Sequence, residues 1–104
     1  MKDYYLRKQI NKKNNEGSSY LGYDEPFCFQ AEIWPASGKI QAEVYGQRLN
    51  YILNMLCEDI KDIAEGDGVC VYVDQRDTPD YKIISIKKYD DNRFPHMLCE
   101  LEKL

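Results

Sequence analysis

The most strand-like stretch of the sequence is Gly66-Asp67-Gly68-Val69-Cys70-Val71-Tyr72-Val73. Valine stands at every second position of its apolar part, glycines precede that part, and the polar run Asp74–Asp80 follows it. A short β-branched run between turn residues is typical of a half-buried strand. The sequence therefore predicts a strand over Val69–Val73, entered through a tight turn at Gly66–Gly68.

Two segments upstream also alternate between apolar and polar residues, which is the period of a strand with one buried face. Phe27–Trp34 places Phe27, Phe29, Ala31 and Ile33 on one face, and Lys39–Tyr45 does the same with Ile40, Ala42 and Val44. The turn residues Pro35–Gly38 lie between them. We expect two adjacent antiparallel strands.

Two more strands are predicted near the C-terminal end. Tyr81–Tyr89 contains the adjacent residues Ile83 and Ile84, which indicate either burial on both faces or a β-bulge. After a turn at Asp90–Arg93, the run His96–Leu104 places Met97, Cys99 and Leu101 on its inward face.

Periodicity does not decide the segment Leu49–Ile63. Its apolar residues fit one face of a strand as far as Cys57, and they fit a helical stripe about equally well. The weak helix formers Asn50, Tyr51 and Asn54 favour a strand through about Cys57. A helix packed across the sheet is the alternative.

The N-terminal part is the least regular. Tyr4–Ile10 is predicted as an edge strand, Asn11–Gly17 as a mobile polar loop, and Ser18–Pro26 as an ordered connection. In total we expect one domain over residues 1–104 that is mainly β. About six short strands joined by long polar loops predict a small antiparallel β-barrel, or a sandwich, with room for one short helix.

Composition excludes several classes of protein. The chain has 104 residues, a net charge of −4 and 43% hydrophobic residues, which is the balance of an ordinary globular domain. An acidic chain is a poor binder of duplex nucleic acid, because phosphate contacts require clustered Lys and Arg. No signal-peptide core and no apolar run of the ~20 residues that a membrane span needs is present, so we expect a cytoplasmic protein.

The residue types used in catalysis and metal binding form no known signature. Cys28, Cys57, Cys70 and Cys99 include no C-x-x-C pair, so zinc spacing is missing, and we expect four reduced structural thiols. Cys28, Cys70 and Cys99 lie in apolar strand-like runs, where a free cysteine behaves as a small buried apolar residue. His96 is the single histidine, and nothing in the sequence places it beside a nucleophile. A small enzyme that uses His96 and a cysteine is therefore a remote alternative, and we predict no catalysis and no cofactor.

A cluster of carboxylates surrounds the Gly66–Gly68 turn. Asp59, Asp62, Glu65 and Asp67 make a calcium site conceivable, but their spacing does not match an EF-hand loop. The favoured interpretation is solvated turn chemistry, and the two glycines are not a phosphate loop, because the Lys-Ser/Thr ending is absent.

Nine tyrosines are many for this length, and most fall near predicted strand ends or outward faces. Tyrosine is enriched in protein–protein contacts. The acidic net charge also favours a protein partner over nucleic acid. The rival is an aromatic platform for single-stranded nucleic acid, for which one group could serve: Lys82, Lys87, Lys88, Tyr81 and Tyr89. Tyrosines that merely cover strand faces are an equally good explanation.

Three segments, in this order and spacing, resemble the small head-closure (head-tail joining, or connector) proteins of tailed phages and prophages of Gram-positive bacteria. They are Pro35–Leu49 with its Tyr45-Gly46, Ala64–Val73 with its Gly66-Asp67 turn, and Pro79–Ile86 with its Pro-Asp-Tyr entry. The closing Leu101-Glu102 fits the same pattern, and the likeness covers about two-thirds of the chain.

The resemblance implies a non-enzymatic virion protein that forms a ring at the portal vertex, joins the head to the tail and helps to retain packaged DNA. Its partners would be the adaptor and tail proteins and, as a ring in the assembled particle, further copies of itself, with assembly in the host cytoplasm. The isolated protein would be either a monomer or a ring. Two loops match by position the loops that make such contacts, with the candidate residues Asn11, Lys12, Lys13, Asn14, Tyr20, Asp74, Gln75, Arg76, Asp77 and Asp80. The alternative is an oligonucleotide-binding or SH3-like small barrel that binds a protein or single-stranded nucleic acid.

Overall fold

The structure is a computed structural model that describes residues 2–13, 19–58, 63–89 and 95–104. Eight strands and one α-helix lie in these ranges: β1 (Lys2–Arg7), β2 (Gln9–Lys13), β3 (Ser19–Tyr23), β4 (Phe27–Pro35), α1 (Lys39–Tyr45), β5 (Ile52–Glu58), β6 (Gly68–Cys70), β7 (Tyr81–Tyr89) and β8 (His96–Lys103). A 3-10 helix at Gly46–Tyr51 connects α1 to β5. The predicted turn at Asp90–Arg93 is outside the described residues.

Six of the strands form a closed barrel in the order β1-β4-β5-β8-β7-β6, with β6 returning to β1. Every pairing in the barrel is antiparallel. The predicted small antiparallel barrel of about six strands, accompanied by a short helix, is confirmed. Closure matters physically because it leaves fewer unpaired strand edges exposed.

Alternate residues of the strands fill the barrel interior. On β8, Met97, Cys99 and Leu101 are fully buried, as their spacing predicts, and Met55 of β5 and Ala31 of β4 are buried with them. Each large apolar side chain buried in this way contributes about 1.5–3 kcal/mol to folding.

The bulge suggested by Ile83 and Ile84 is present. In the pairing of β7 with β8 the register shifts between Ile83 and Ser85, so Ile84 is the extra residue. One inserted residue lets Ile83 stay in the core while Ile84 is half-buried on the other side.

Lys39–Tyr45 was predicted as a strand and is the α-helix α1, so that prediction is wrong. Strand β4 pairs with β1 along one edge and with β5 along the other, so it has little room for the predicted partner. The helix is bounded by Gly38 (φ 95°) and Gly46 (φ 56°, ψ −124°), conformations that L side chains rarely adopt. Two glycines therefore allow the chain to leave the sheet and return.

In Leu49–Ile63, the strand interpretation is confirmed for Ile52–Glu58, which is β5 between β4 and β8. The start of the segment is 3-10 helix rather than strand. The α-helix found among the described residues therefore lies just before this segment, and residues 59–62 of the segment are outside the described residues.

The N-terminal predictions need two corrections. Strand β1 is not an edge strand throughout, because it pairs with β4 and, over Tyr5–Arg7, with β6. Asn11–Lys13 of the predicted loop belong to β2 and Ser19–Tyr23 of the predicted connection form β3, whereas residues 14–18 are outside the described residues; β2 and β3 pair as a two-stranded sheet separate from the barrel. The polar sequence of this part does not indicate strands, and the cross-strand pairs between β2 and β3 are what stabilise them.

The predicted strand Val69–Val73 is shorter than expected, since β6 ends at Cys70. The carboxylate of Asp80 accepts hydrogen bonds from the backbone N–H of Val71 at 2.8 Å and of Tyr72 at 3.0 Å. The Asp80 side chain therefore binds the backbone N–H groups that would otherwise extend the hydrogen-bond ladder of β6.

Candidate protein-interaction surfaces

One arginine, Arg7, links the base of the β2–β3 hairpin to the second loop predicted to contact partners. Arg7 Nε donates to the backbone oxygen of Asp24 at 2.8 Å, at the foot of the β2–β3 hairpin. Arg7 Nη1 donates to the backbone oxygen of Asp77 at 3.1 Å, in the loop that follows β6. The structure thus places the two predicted regions side by side at one end of β1.

The loop from Val71 to Asp80 is held by its own polar groups. Besides the two bonds to Asp80, the carboxylate of Asp74 accepts from the backbone N–H of Arg76 at 2.9 Å and pairs with its guanidinium at 3.2 Å. These contacts, the backbone hydrogen bond first, lower the pKa of Asp74. These contacts within the loop favour one conformation of it on the surface.

The candidate contact residues are distributed over both regions. Asn11, Lys12 and Lys13 lie in β2 and Tyr20 in β3, whereas Asn14 is outside the described residues. In the second loop, the side chains of Asp74 and Arg76 are exposed, and the carboxylate of Asp80 is occupied by the loop itself. Contact with a partner stays a prediction for this set.

The sequence interpretation missed an apolar surface on α1. Ile40 and Val44, one helical turn apart, are 78% and 68% exposed, and no residue of α1 is buried. The spacing of four residues between glycines was a signal of a helix face. A helix normally turns its apolar stripe toward the core, so this outward stripe is an unusual feature that is available for contact with another molecule.

Polar side chains, rather than apolar ones, fix α1 to the barrel. Gln41 Nε2 donates to Asn54 Oδ1 at 2.7 Å and to Glu100 Oε2 at 3.0 Å. Tyr45 also hydrogen-bonds to Glu100, and burial followed by this bond raises the pKa of Tyr45 to about 12. The adjoining 3-10 helix is tied by Arg48, whose Nε donates to Glu102 at 2.7 Å. These bonds fix the direction in which Ile40 and Val44 face.

A groove of about 350 Å³ lies between α1 and the outer wall of the barrel. Its apolar lining includes Trp34, Ile40, Val44, Tyr89 and Leu98, around the polar centre formed by Gln41. Trp34 and Tyr89 are partly exposed at 39% each. Aromatic and aliphatic side chains around a small polar centre are typical of a protein-contact surface.

The possible calcium site at the Gly66 turn gains no support from Asp67. Asp67 is buried, not solvated as predicted, and its two oxygens accept from the backbone N–H groups of Gln9 and Ala64, each at 3.0 Å. Lys8 Nζ lies 3.6 Å from the same carboxylate. Asp59 and Asp62 are outside the described residues, and no group of metal-binding side chains was found within the described part of the chain.

The cysteines are all free; Cys70 and Cys99 are buried as expected, and Cys57 is buried as well. Cys28 is exposed, which corrects the prediction that it is buried, because it lies on the outward face of β4. A hydrogen bond with Cys57, together with burial, raises the pKa of the Cys99 thiol. Protonated thiols in a core are poor nucleophiles.

The rival group for nucleic-acid binding is only partly assembled. Lys87 Nζ lies 5.6 Å from the centroid of the Tyr89 ring, and His96 stacks on that ring at 5.0 Å. Tyr81, however, is buried and packs against Tyr72, so it offers no stacking face to a ligand. Of the predicted platform, only Tyr89 is an exposed aromatic residue, and it has Lys87 beside it.

These features define a small closed antiparallel barrel that carries a separate β-hairpin and an outward apolar helix face. No family model, no curated protein and no solved structure matches the chain. Among the described residues there is no helix with the length and apolar character that crossing a membrane requires.

Proposed function

We propose that the protein is a structural subunit of a phage or prophage connector that joins the head to the tail through protein–protein contacts and helps to retain packaged DNA. The sequence resemblance suggests this role. The observation that carries the proposal is the outward apolar face of α1, where Ile40 and Val44 are left in water while polar bonds hold the helix in place. Apolar side chains presented in this way favour a protein partner.

The remaining features agree with this role. The hairpin β2–β3 and the Val71–Asp80 loop lie next to each other through Arg7 and offer a second contact surface. A net charge of −4 suits a channel through which DNA must slide rather than bind. The proposal is a non-enzymatic one and assigns no cofactor.

The genomic setting is the first test. We expect portal, capsid and adaptor genes on one side of this gene and tail genes on the other. A position among unrelated host metabolic genes would contradict the proposal.

The second test is complementation in a phage or prophage that lacks this gene. The double variant Ile40→Asp, Val44→Asp is expected to abolish the joining of heads to tails, because two carboxylates cannot be desolvated in an apolar contact. The matched control is Glu43→Gln, on the same helix and also exposed, which is expected to leave joining unchanged. Both variants should unfold at the wild-type urea concentration, and normal particle yield from the double variant would contradict the assigned surface.

The second candidate function is a small-barrel binding module for single-stranded nucleic acid. The stack of Tyr89 and His96, with Lys87 over the ring, favours it. Anisotropy of a labelled oligothymidine tests it: binding that is lost on Tyr89→Ala would support this function, and no binding at low salt would exclude it.

A further inference from the structure

The barrel wall has an open strand edge on β1. Strand β1 pairs with β4 from Lys2 to Leu6, but it pairs with β6 only from Tyr5 to Arg7. Beyond Cys70 the chain turns away, because Asp80 binds the backbone N–H groups of Val71 and Tyr72. Among the described residues, Lys2, Asp3 and Tyr4 therefore have no strand neighbour on the β6 side.

The gap beside this edge is large enough for an added strand. It has a volume of about 590 Å³ and lies between Lys2–Tyr5 of β1 and Val71–Gln75 of the following loop. An exposed edge with unpaired backbone groups is a template for pairing with another chain.

The hairpin β2–β3 has the complementary property. Its two five-residue strands pair with each other and, within the described part of the chain, with no third strand. A two-stranded hairpin alone is only marginally stable in water, so a further strand would stabilise it. In sequence, β2 contains Lys12 and Lys13 and no acidic residue, whereas the gap carries Lys2, Asp3 and Asp74, of which Asp74 is paired with Arg76.

The hairpin cannot reach the open edge of its own barrel. It leaves β1 after Arg7, at the end of β1 opposite to Lys2, about 17 Å away at the usual rise per residue. Its base is fixed there by the bond from Arg7 to Asp24 and by the bond from the backbone N–H of Asp24 to the backbone oxygen of Lys8 at 2.8 Å. Any hairpin that fills the gap must come from a second molecule.

We infer that β2 of one copy adds to the open edge of β1, at Lys2–Tyr4, in a second copy. Donor and acceptor are different surfaces at opposite ends of β1, so the contact is head-to-tail and repeats from subunit to subunit. Such a contact gives a ring when its rotation closes. It supplies the subunit contact of the ring in the proposed function, and to that extent it rests on that function.

Cross-linking of the isolated protein tests the contact. In a Cys28→Ser background, Asp3→Cys and Asn11→Cys are made as separate variants, and a short bis-maleimide is added. A mixture of the two is expected to yield a covalent dimer that neither variant yields alone, and the chain with both substitutions is expected to yield a ladder of dimers, trimers and larger species. The control is Glu43→Cys on α1, which should give no dimer with either variant.

Three results would overturn the inference. The first is the absence of a cross-linked dimer in the mixture at high protein concentration. The second is a dimer yield from Asp3→Cys alone equal to that of the mixture, which would indicate a symmetric contact. The third is an equal dimer yield with Glu43→Cys, which would indicate random collision. The test uses no phage component. A negative cross-linking result would therefore not affect the complementation test of the α1 surface. A positive cross-linking result together with failed complementation by the wild-type gene would indicate a self-associating protein with another role.

Discussion

The side chain of Gln41 donates a hydrogen bond to Asn54 at 2.7 Å, and this bond joins the helix α1 to the outer wall of the barrel. Asn54 is buried, with only 8% of the residue exposed, so its side-chain amide depends on Gln41 for a hydrogen-bond partner. The helix contributes no buried side chain of its own. Its position therefore depends on polar bonds.

Gln41→Ala is expected to lower the free energy of unfolding by about 1–3 kcal/mol, because it leaves the buried amide of Asn54 without its partner. Urea denaturation measures the change. The control is Gln47→Ala on the exposed 3-10 helix, expected to change stability by less than about 0.5 kcal/mol. Equal effects of the two substitutions would contradict the role of Gln41.

Gly68→Ala is expected to destabilise the fold by about 1–3 kcal/mol through overpacking. A Cβ at position 68 would lie 2.5 Å from Cγ of Pro79 and 2.9 Å from Cε1 of Tyr23. Pro79→Gly removes both Cγ and Cβ of Pro79, the latter 2.6 Å from the added Cβ, so the double variant should lose less stability than the sum of the single variants. Strict additivity in thermal unfolding would show that the two residues do not clash.

Tyr45 is expected to make stability depend on pH in the alkaline range. Burial and the bond to Glu100 raise its pKa from 10.0 to about 12 in the folded state. Between these values the unfolded chain has released the phenolic proton while the folded chain retains it. The stabilisation is therefore complete below pH 10 and is lost as the pH rises toward 12.

Tyr45→Phe should accordingly flatten the fall in unfolding free energy between pH 10 and pH 12. The measurement is urea denaturation at a series of pH values, with Tyr51→Phe, an exposed tyrosine, as the control. A curve for Tyr45→Phe that runs parallel to wild type would argue against this linkage.

The four thiols are expected to react at two very different rates. Cys28 is exposed, whereas Cys57, Cys70 and Cys99 are buried, and burial raises the pKa of Cys70 while Cys57 and burial raise that of Cys99. A thiol reagent should therefore label one cysteine of the native protein and all four after unfolding in urea. Cys28→Ser should abolish the fast phase, and rapid labelling of that variant would contradict the buried positions.

The barrel could be predicted from sequence because its longest strands carry a clear period-two signal. Met97, Cys99 and Leu101 alternate with polar residues, and the adjacent isoleucines 83 and 84 indicated the bulge. Local pattern and final burial agree there, since one face of each strand is inside.

The errors arose where tertiary context overrides local pattern. Lys39–Tyr45 alternates like a strand, yet both neighbours that β4 can accept are other strands, and the apolar residues of α1 face outward. The early end of β6 depends on Asp80, ten residues after Cys70, and no local periodicity shows that bond. The candidate surface on α1 was missed for the same reason. Of the two predicted contact loops, Asp74–Asp80 lies outside the strands, whereas Asn11–Lys13 and Ser19–Tyr20 belong to β2 and β3.

Strand β6 closes the barrel through few contacts, with three residue pairs to β1 and two to β7. The pairing of β6 with β1 brings together Tyr5 and Cys70, which are far apart in sequence. Closing such a long loop costs conformational entropy before the pair forms. Val69→Ala is then expected mainly to speed unfolding, whereas Leu101→Ala in β8 should also slow folding, as stopped-flow measurements in urea would show. We therefore expect the sheet of β4, β5, β8 and β7 to form first and β6 to close the barrel last.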